Sequence, residues 1–199
     1  GLVGSEMCIR DRAGLPNLKL SYPHLYLSER EKKRKIRKPY AILHLDFYDK
    51  NNIFRNSYGI EWQQVIAYIC SLGLEPIQIS KYGKHLMAKW VKTQDFRQIM
   101  SLCYNADLFI GLDSGPSHIA AAMNIPSVIF FGSVNPHFRH LDSKKKIFLQ
   151  SPSPFAHCYH EIPNTFGQPC RLISLDQVPP CCIHTTDQVI EAVKKVLQT

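Results

Sequence analysis

Asp107-Leu-Phe-Ile-Gly-Leu-Asp-Ser-Gly-Pro-Ser-His-Ile-Ala-Ala-Ala-Met-Asn-Ile-Pro-Ser-Val-Ile-Phe-Phe-Gly132 reads as strand, tight turn, short helix and second strand in succession. Leu108 to Gly111 has the apolar continuity of a strand buried on both faces. Gly115 allows close backbone approach, and Pro116 fits the first turn of a helix, where its missing amide costs nothing. Amides released after Ser114 would face outward at the positive end of the helix dipole, an arrangement suited to an anion.

Working outward, similar units repeat. Tyr40–Phe47 is a strand candidate, and Trp62, Val65, Ile66 and Ile69 recur at helical spacing before a stop at Gly73. Pro76–Ile79 is a second strand, and Thr93 is placed to cap a helix whose apolar face is Phe96, Ile99, Met100 and Cys103. Ser127–Phe131 and Ile147–Leu149 supply further strands, and Thr185 with Gln188 has the pairing of a capping box ahead of a last amphipathic helix. This alternation predicts an α/β fold, a doubly wound parallel sheet of Rossmann-like type.

At 199 residues with 45% hydrophobic and 20% charged residues, the chain suits one well-buried domain with appendages. Residues 1–12 read as a non-native leader, 13–39 as a basic linker, and 40–199 as the domain, with an irregular cysteine- and proline-rich stretch over 150–183. The seven basic residues between Arg30 and Lys38 carry no aromatic interleaving, so the run reads as a solvated linker or exposed helix and not as a nucleic-acid site. A formal net charge of +8 favours anionic partners, whether phosphate-bearing ligands or acidic lipid headgroups.

In open α/β sheets the ligand lies beyond the carboxyl ends of the strands. Two loops leave such ends here: Asp113-Ser114-Gly115-Pro116-Ser117-His118, and Gly132-Ser133 with the residues that follow. Gly-Leu-Asp-Ser-Gly-Pro also echoes the nucleophile segment of chymotrypsin-like proteases. Those are all-β enzymes, however, and Gly111 stands three residues before Ser114 where a hydrolase elbow needs two.

The segment from Asp113 to Gly132 resembles the donor-binding signature of glycosyltransferase family 9, the heptosyltransferases of bacterial lipopolysaccharide assembly. The resemblance extends more weakly from about Tyr40 to the last helix and covers only the second of that family's two Rossmann-like domains, the C-terminal half of a GT-B enzyme. It implies an inverting transferase in which this half holds a nucleotide-diphosphate sugar such as ADP-heptose. The acceptor and the catalytic carboxylate belong to the other half, so the catalytic residue is not expected here and this chain alone is expected to transfer nothing.

Carried over by position, the resemblance implies donor contacts from Asp113, Ser114, Gly115, Pro116, Ser117 and His118, joined by Gly132 and Ser133. Lys50 or Arg55 would neutralise phosphate. Ser80-Lys81-Tyr82-Gly83-Lys84 stands where the family usually shows a glycine and a glutamate, so the base is free to differ. The implied partners are the nucleotide sugar, a glycan or lipid-linked acceptor and an anionic membrane surface, with no nucleic acid; the implied location is the cytoplasm, at the inner membrane. The competing reading is a non-catalytic nucleotide or phosphosugar-binding module.

Cys158, Cys170, Cys181 and Cys182 cluster late in the chain near His157, His160 and His184. Thiolates and imidazoles ligate zinc or iron, and a cysteine-rich loop binds iron in autotransporter heptosyltransferases of this family. The spacing lacks paired CxxC motifs, so reduced structural cysteines are the expectation and no cofactor is required. Cys70 and Cys103 are expected in the core.

Overall fold

A computed structural model describes residues 21–34, 36–45, 55–80, 83, 86–153, 156, 158 and 177–199. Residues 1–20 lie outside the described residues, as do Lys50, Cys170, His157, His160 and most of the cysteine-rich stretch.

Six strands form one wholly parallel sheet: β1 (Tyr40–His44), β2 (Glu75–Ser80), β3 (Lys89–Lys92), β4 (Leu108–Leu112), β5 (Ser127–Phe131) and β6 (Lys146–Gln150). Their order is β3-β2-β1-β4-β5-β6, so the chain reverses its direction of winding between β1 and β4. The helices are α1 (Glu29–Lys32), α2 (Trp62–Ser71), α3 (Phe96–Tyr104), α4 (Gly115–Ala122) and α5 (Thr186–Leu197).

Side chains alternate along each strand, and the two faces bury separate cores. Ala41, Leu43, Leu108, Ile110 and Phe130 pack with Val65 and Ile69 of α2 and with Val189, Val193 and Val196 of α5. Tyr40, Ile42, Ile77, Ile79 and Phe109 pack with Met100, Leu102 and Cys103 of α3 and with Ile119 and Ala120 of α4. Helices on both faces make the sheet doubly wound, as the alternation predicted.

Local chemistry explains the boundaries. The Thr185 hydroxyl accepts from the Gln188 amide at 3.2 Å while the Gln188 side chain accepts from the Thr185 amide at 2.9 Å, the reciprocal cap expected at α5. Asp95 caps α3 instead of Thr93, its carboxylate accepting from the Gln98 amide at 2.8 Å. Cys103 is buried as expected, but Cys70 is exposed, because α2 turns Val65 and Ile69 inward and position 70 outward.

The start of α5 is stitched to the approach to α2. Tyr58 pairs with Ile183, and the His184 amide donates to the Tyr58 carbonyl at 2.9 Å. Gly59 has φ +77°, and a Cβ there would lie 2.8 Å from the His184 carbonyl oxygen, so only glycine fits. Arg55, three residues ahead of Tyr58, lies within electrostatic reach of His118.

Candidate functional site: the turn at the β1/β4 switch point

β1 and β4 end side by side, with His44 and Gly111 in register. A Cβ on Gly111 would meet the Phe109 ring at 2.8 Å and the His44 carbonyl oxygen at 3.0 Å, so the bare backbone is what lets the two strands close up. Beyond them the chain passes through Asp113 and Ser114 into α4.

The turn is fixed from within. Ser114 is extended, with φ −162°, and its hydroxyl donates to the Leu112 carbonyl at 3.0 Å while lying 3.2 Å from His44 Nδ1. Burial lowers the His44 pKa to about 4, so the ring is neutral near pH 7 and its Nδ1–H donates to Ser114. The Ser117 hydroxyl donates to the Ser114 carbonyl at 2.8 Å and accepts from the Ser114 amide at 3.2 Å.

These bonds limit what α4 offers a ligand. Pro116 has no amide hydrogen, and the amides of Ser117 and His118 turn back to the Ser114 carbonyl at 3.0 and 3.3 Å. Gly115 remains: it is exposed, its amide occupies the first helical position, and its open side faces the exposed ring of Phe96. Pro116 and Ser117 are buried and serve as scaffold.

His118 stands half-exposed at the mouth. Its Nε2 is 3.8 Å from the buried carboxylate of Asp113. Burial is the main cause lowering the His118 pKa; Asp113 opposes the shift, and the guanidinium groups of Arg139 and Arg55 add to it. That response places both arginines within electrostatic reach of His118. Arg55 was expected from the sequence. Arg139 was not, although it follows the turn after β5 and so obeys the same rule about carboxyl ends of strands. His44, the last residue of β1, was legible by that rule too.

The second loop is support more than surface. Gly132 and Ser133 are buried, and Gln150 at the end of β6 donates to the carbonyls of Gly132 and Val134 at 2.6 and 2.9 Å. A 3-10 turn, Pro136–Phe138, follows, with the Asn135 side chain accepting from the His137 amide at 3.0 Å.

The cysteines are partly placed. Cys181 and Cys182 are buried with sulfurs 3.9 Å apart, and Cys158 is half-buried. Among the described residues, the one set of three His, Cys, Asp or Glu ligand atoms lying within 4.8 Å of one another is Asp113, His118 and His140. Its geometry does not suit a shared ion. The two imidazoles are stacked, with centroids 4.3 Å apart and planes at 10°, so their in-plane lone pairs run parallel instead of converging.

The sequence comparison that bears on this turn is a family model, glycosyltransferase family 9 (heptosyltransferase), which matches residues 88–165 and so contains it. Over that stretch the chain is similar to glycosyltransferase family 9. It is 33% identical over 102 residues to lipopolysaccharide heptosyltransferase 3 of Escherichia coli, covering 51% of this chain and 27% of that protein. The iron-containing dodecameric heptosyltransferase TibC of enterotoxigenic E. coli H10407, solved with ADP-D-beta-D-heptose, has the same fold at a TM-score of 0.65, 23% identity and coverage of 83% of this chain and 46% of that one. ADP-heptose LPS heptosyltransferase II of E. coli gives a TM-score of 0.64 at 17% identity, over 94% of this chain and 56% of that one. The chain therefore spans 27% of the curated relative and about half of the solved ones. No helix among the described residues is long and apolar enough to cross a membrane.

Proposed function

We propose that this domain is the donor-binding half of an inverting, heptosyltransferase-like glycosyltransferase, and that it holds a nucleotide-diphosphate sugar of the ADP-heptose kind with its diphosphate at the α4 turn. One observation carries the reading: the start of α4, beside the switch point of the sheet and within the family match, exposes the Gly115 amide and carries His118, on which Arg55 and Arg139 act electrostatically. A sequence-specific base contact is not needed for this; the diphosphate is the handle.

In the transfer, an acceptor hydroxyl attacks the anomeric carbon, the bond from that carbon to the diphosphate oxygen breaks, and a general base takes the hydroxyl proton. Charge grows on the departing diphosphate. The two guanidinium groups and the Gly115 amide are preorganised donors for that charge, and the partly buried site strengthens them. His118, its pKa lowered by burial and so neutral near pH 7, supplies a hydrogen bond to the donor, with the Asp113 carboxylate 3.8 Å from its Nε2. The general base and the lipopolysaccharide or other lipid-linked acceptor belong to the acceptor domain, at the cytoplasmic face of the inner membrane. The turn's place within the family match favours this reading over a non-catalytic phosphosugar-binding module.

The test is a thermal-shift panel of ADP-, GDP-, UDP- and CMP-linked sugars on the whole chain. The largest stabilisation is expected from an ADP-linked sugar, with the shift lost in Arg139→Ala. Equal shifts in wild type and variant, or none in either, would overturn the assignment.

A further inference from the structure

Beneath the turn lie two side chains that the donor reading does not use. His140 is 1% exposed, stacked under His118, and wedged between the rings of Phe131 and Phe148 at centroid distances of 5.8 and 5.7 Å. Tyr22 reaches it from the segment ahead of α1, its hydroxyl 3.4 Å from His140 Nδ1. On the other side of the ring, His140 Nε2 is 3.4 Å from the Ser117 hydroxyl.

We infer that Tyr22 and His140 are positioning residues for the donor turn: a one-way chain of hydrogen bonds runs from the Leu141 amide through both side chains to Ser117 and holds the start of α4 in its ligand-ready form. The inference rests on the donor reading for its purpose, but its geometry stands alone.

The direction of the chain follows from where each hydrogen can go. The Ser114 carbonyl has none, so the Ser117 hydroxyl donates to it at 2.8 Å and is left as an acceptor. Its partner His140 Nε2 must then carry the proton, which leaves Nδ1 bare in a neutral ring. The Tyr22 oxygen already accepts from the Leu141 amide at 2.8 Å, so its own hydrogen is directed at Nδ1 and at the Leu141 carbonyl, 3.2 Å away. Every donor in the series has an acceptor, and the series ends on the carbonyl that receives the Ser117 and His118 amides of α4.

Burial keeps the ring neutral, pushing the His140 pKa down to about 3, with His118, Lys146 and Arg139 adding to the shift. A neutral ring can lie flat against His118 without repelling it. The contacts at 3.4 Å are long, so the aromatic walls fix where the ring sits and the hydrogen bonds select its tautomer. Both nitrogens are thereby engaged, a second reason that His140 is not a metal ligand. Tyr22 is held in turn by Lys146, whose ammonium stands 4.6 Å above its ring centroid.

Tyr22→Phe deletes one hydroxyl and keeps the ring. On the whole chain, the His140 tautomer is read by long-range proton–nitrogen NMR and ADP affinity by calorimetry, for wild type, Tyr22→Phe and His140→Phe, at a temperature where circular dichroism shows each fully folded. Expected are an Nε2–H ring in the wild type, loss of that single tautomer in Tyr22→Phe, and ADP binding weakened about fivefold in both variants, the size of one net hydrogen bond. An Nδ1–H ring in the wild type overturns the chain of bonds. Unchanged ADP affinity in both folded variants overturns the positioning role and leaves only packing. If wild type binds no ADP, the donor reading fails by itself, and the tautomer alone decides the hydrogen-bond chain.

Discussion

Ser114 and His44 touch across the point where the sheet changes its direction of winding, Oγ to Nδ1 at 3.2 Å. One residue opens the turn after β4 and the other closes β1, and 70 residues separate them in sequence. The contact ties the cap of α4 to the neighbouring strand, so the turn is held by the sheet as well as by its own helix.

Replacing Ser114 with alanine removes the hydroxyl from both His44 and the Leu112 carbonyl. A loss of about 1 kcal/mol in urea unfolding is expected, since the partly buried His44 donor keeps no partner there. Ser114→Thr keeps the hydroxyl and is expected to recover most of it. Equal stability of alanine and threonine variants would show that the contact contributes nothing.

The two guanidinium groups are expected to act on ligand charge. Arg55→Ala and Arg139→Ala should each weaken ADP binding by about tenfold, within the range for a charge-assisted hydrogen bond, and should flatten its salt dependence. Arg139→Lys keeps charge but loses the fork and is expected to fall in between. Calorimetry at two salt concentrations checks this; identical salt slopes in wild type and variants would argue that neither arginine meets the phosphates.

Gly111→Ala places a methyl group against the Phe109 ring and the His44 carbonyl. Backbone of β1 cannot retreat without opening the sheet, so destabilisation of about 1–3 kcal/mol is expected from overpacking. The denaturation midpoint measures it. Gly73→Ala is no useful control, because its φ of +78° adds strain of its own.

Acid should destabilise the fold through its buried imidazoles. Burial lowers His44 and His184 to about 4 and His140 to about 3, below the ordinary value of 6.5. A lowered folded value means that the unfolded chain binds the proton first, so this stability is present above pH 6.5 and is lost as pH falls toward 4. Each imidazole contributes a slope of at most about 1.4 kcal/mol per pH unit in that window. Urea midpoints taken from pH 7 to pH 4.5 should fall steadily; a flat profile would contradict the burial of these rings.

The strand, turn, helix and strand from Leu108 to Phe131 were legible because buried parallel strands are continuously apolar and the turn between them is written in Gly115 and Pro116. β3 was not: Lys89-Trp-Val-Lys92 is a four-residue edge strand, mostly exposed, and carries neither a long apolar run nor a clean alternation. Thr93 and Asp95 are both good caps, and only the backbone path out of β3 selected Asp95. Position 70 lies on a helix whose inward arc is narrower than its run of apolar residues, so Cys70 could be assigned to the wrong face.

The sequence by itself determined the local pieces: which segments extend, which coil, and that one turn would present a glycine amide and a histidine at a helix start. Tertiary structure decided the company that turn keeps. Parallel strands joined by crossover helices bring all their carboxyl ends to one edge, so His44 and His140 arrive beside Ser114 and His118, with Arg55 and Arg139 in electrostatic reach, from three separate stretches of chain. Periodicity records which face of a strand is buried. It does not record which strand lies next to which, and that order, with β1 against β4, is what assembled the site.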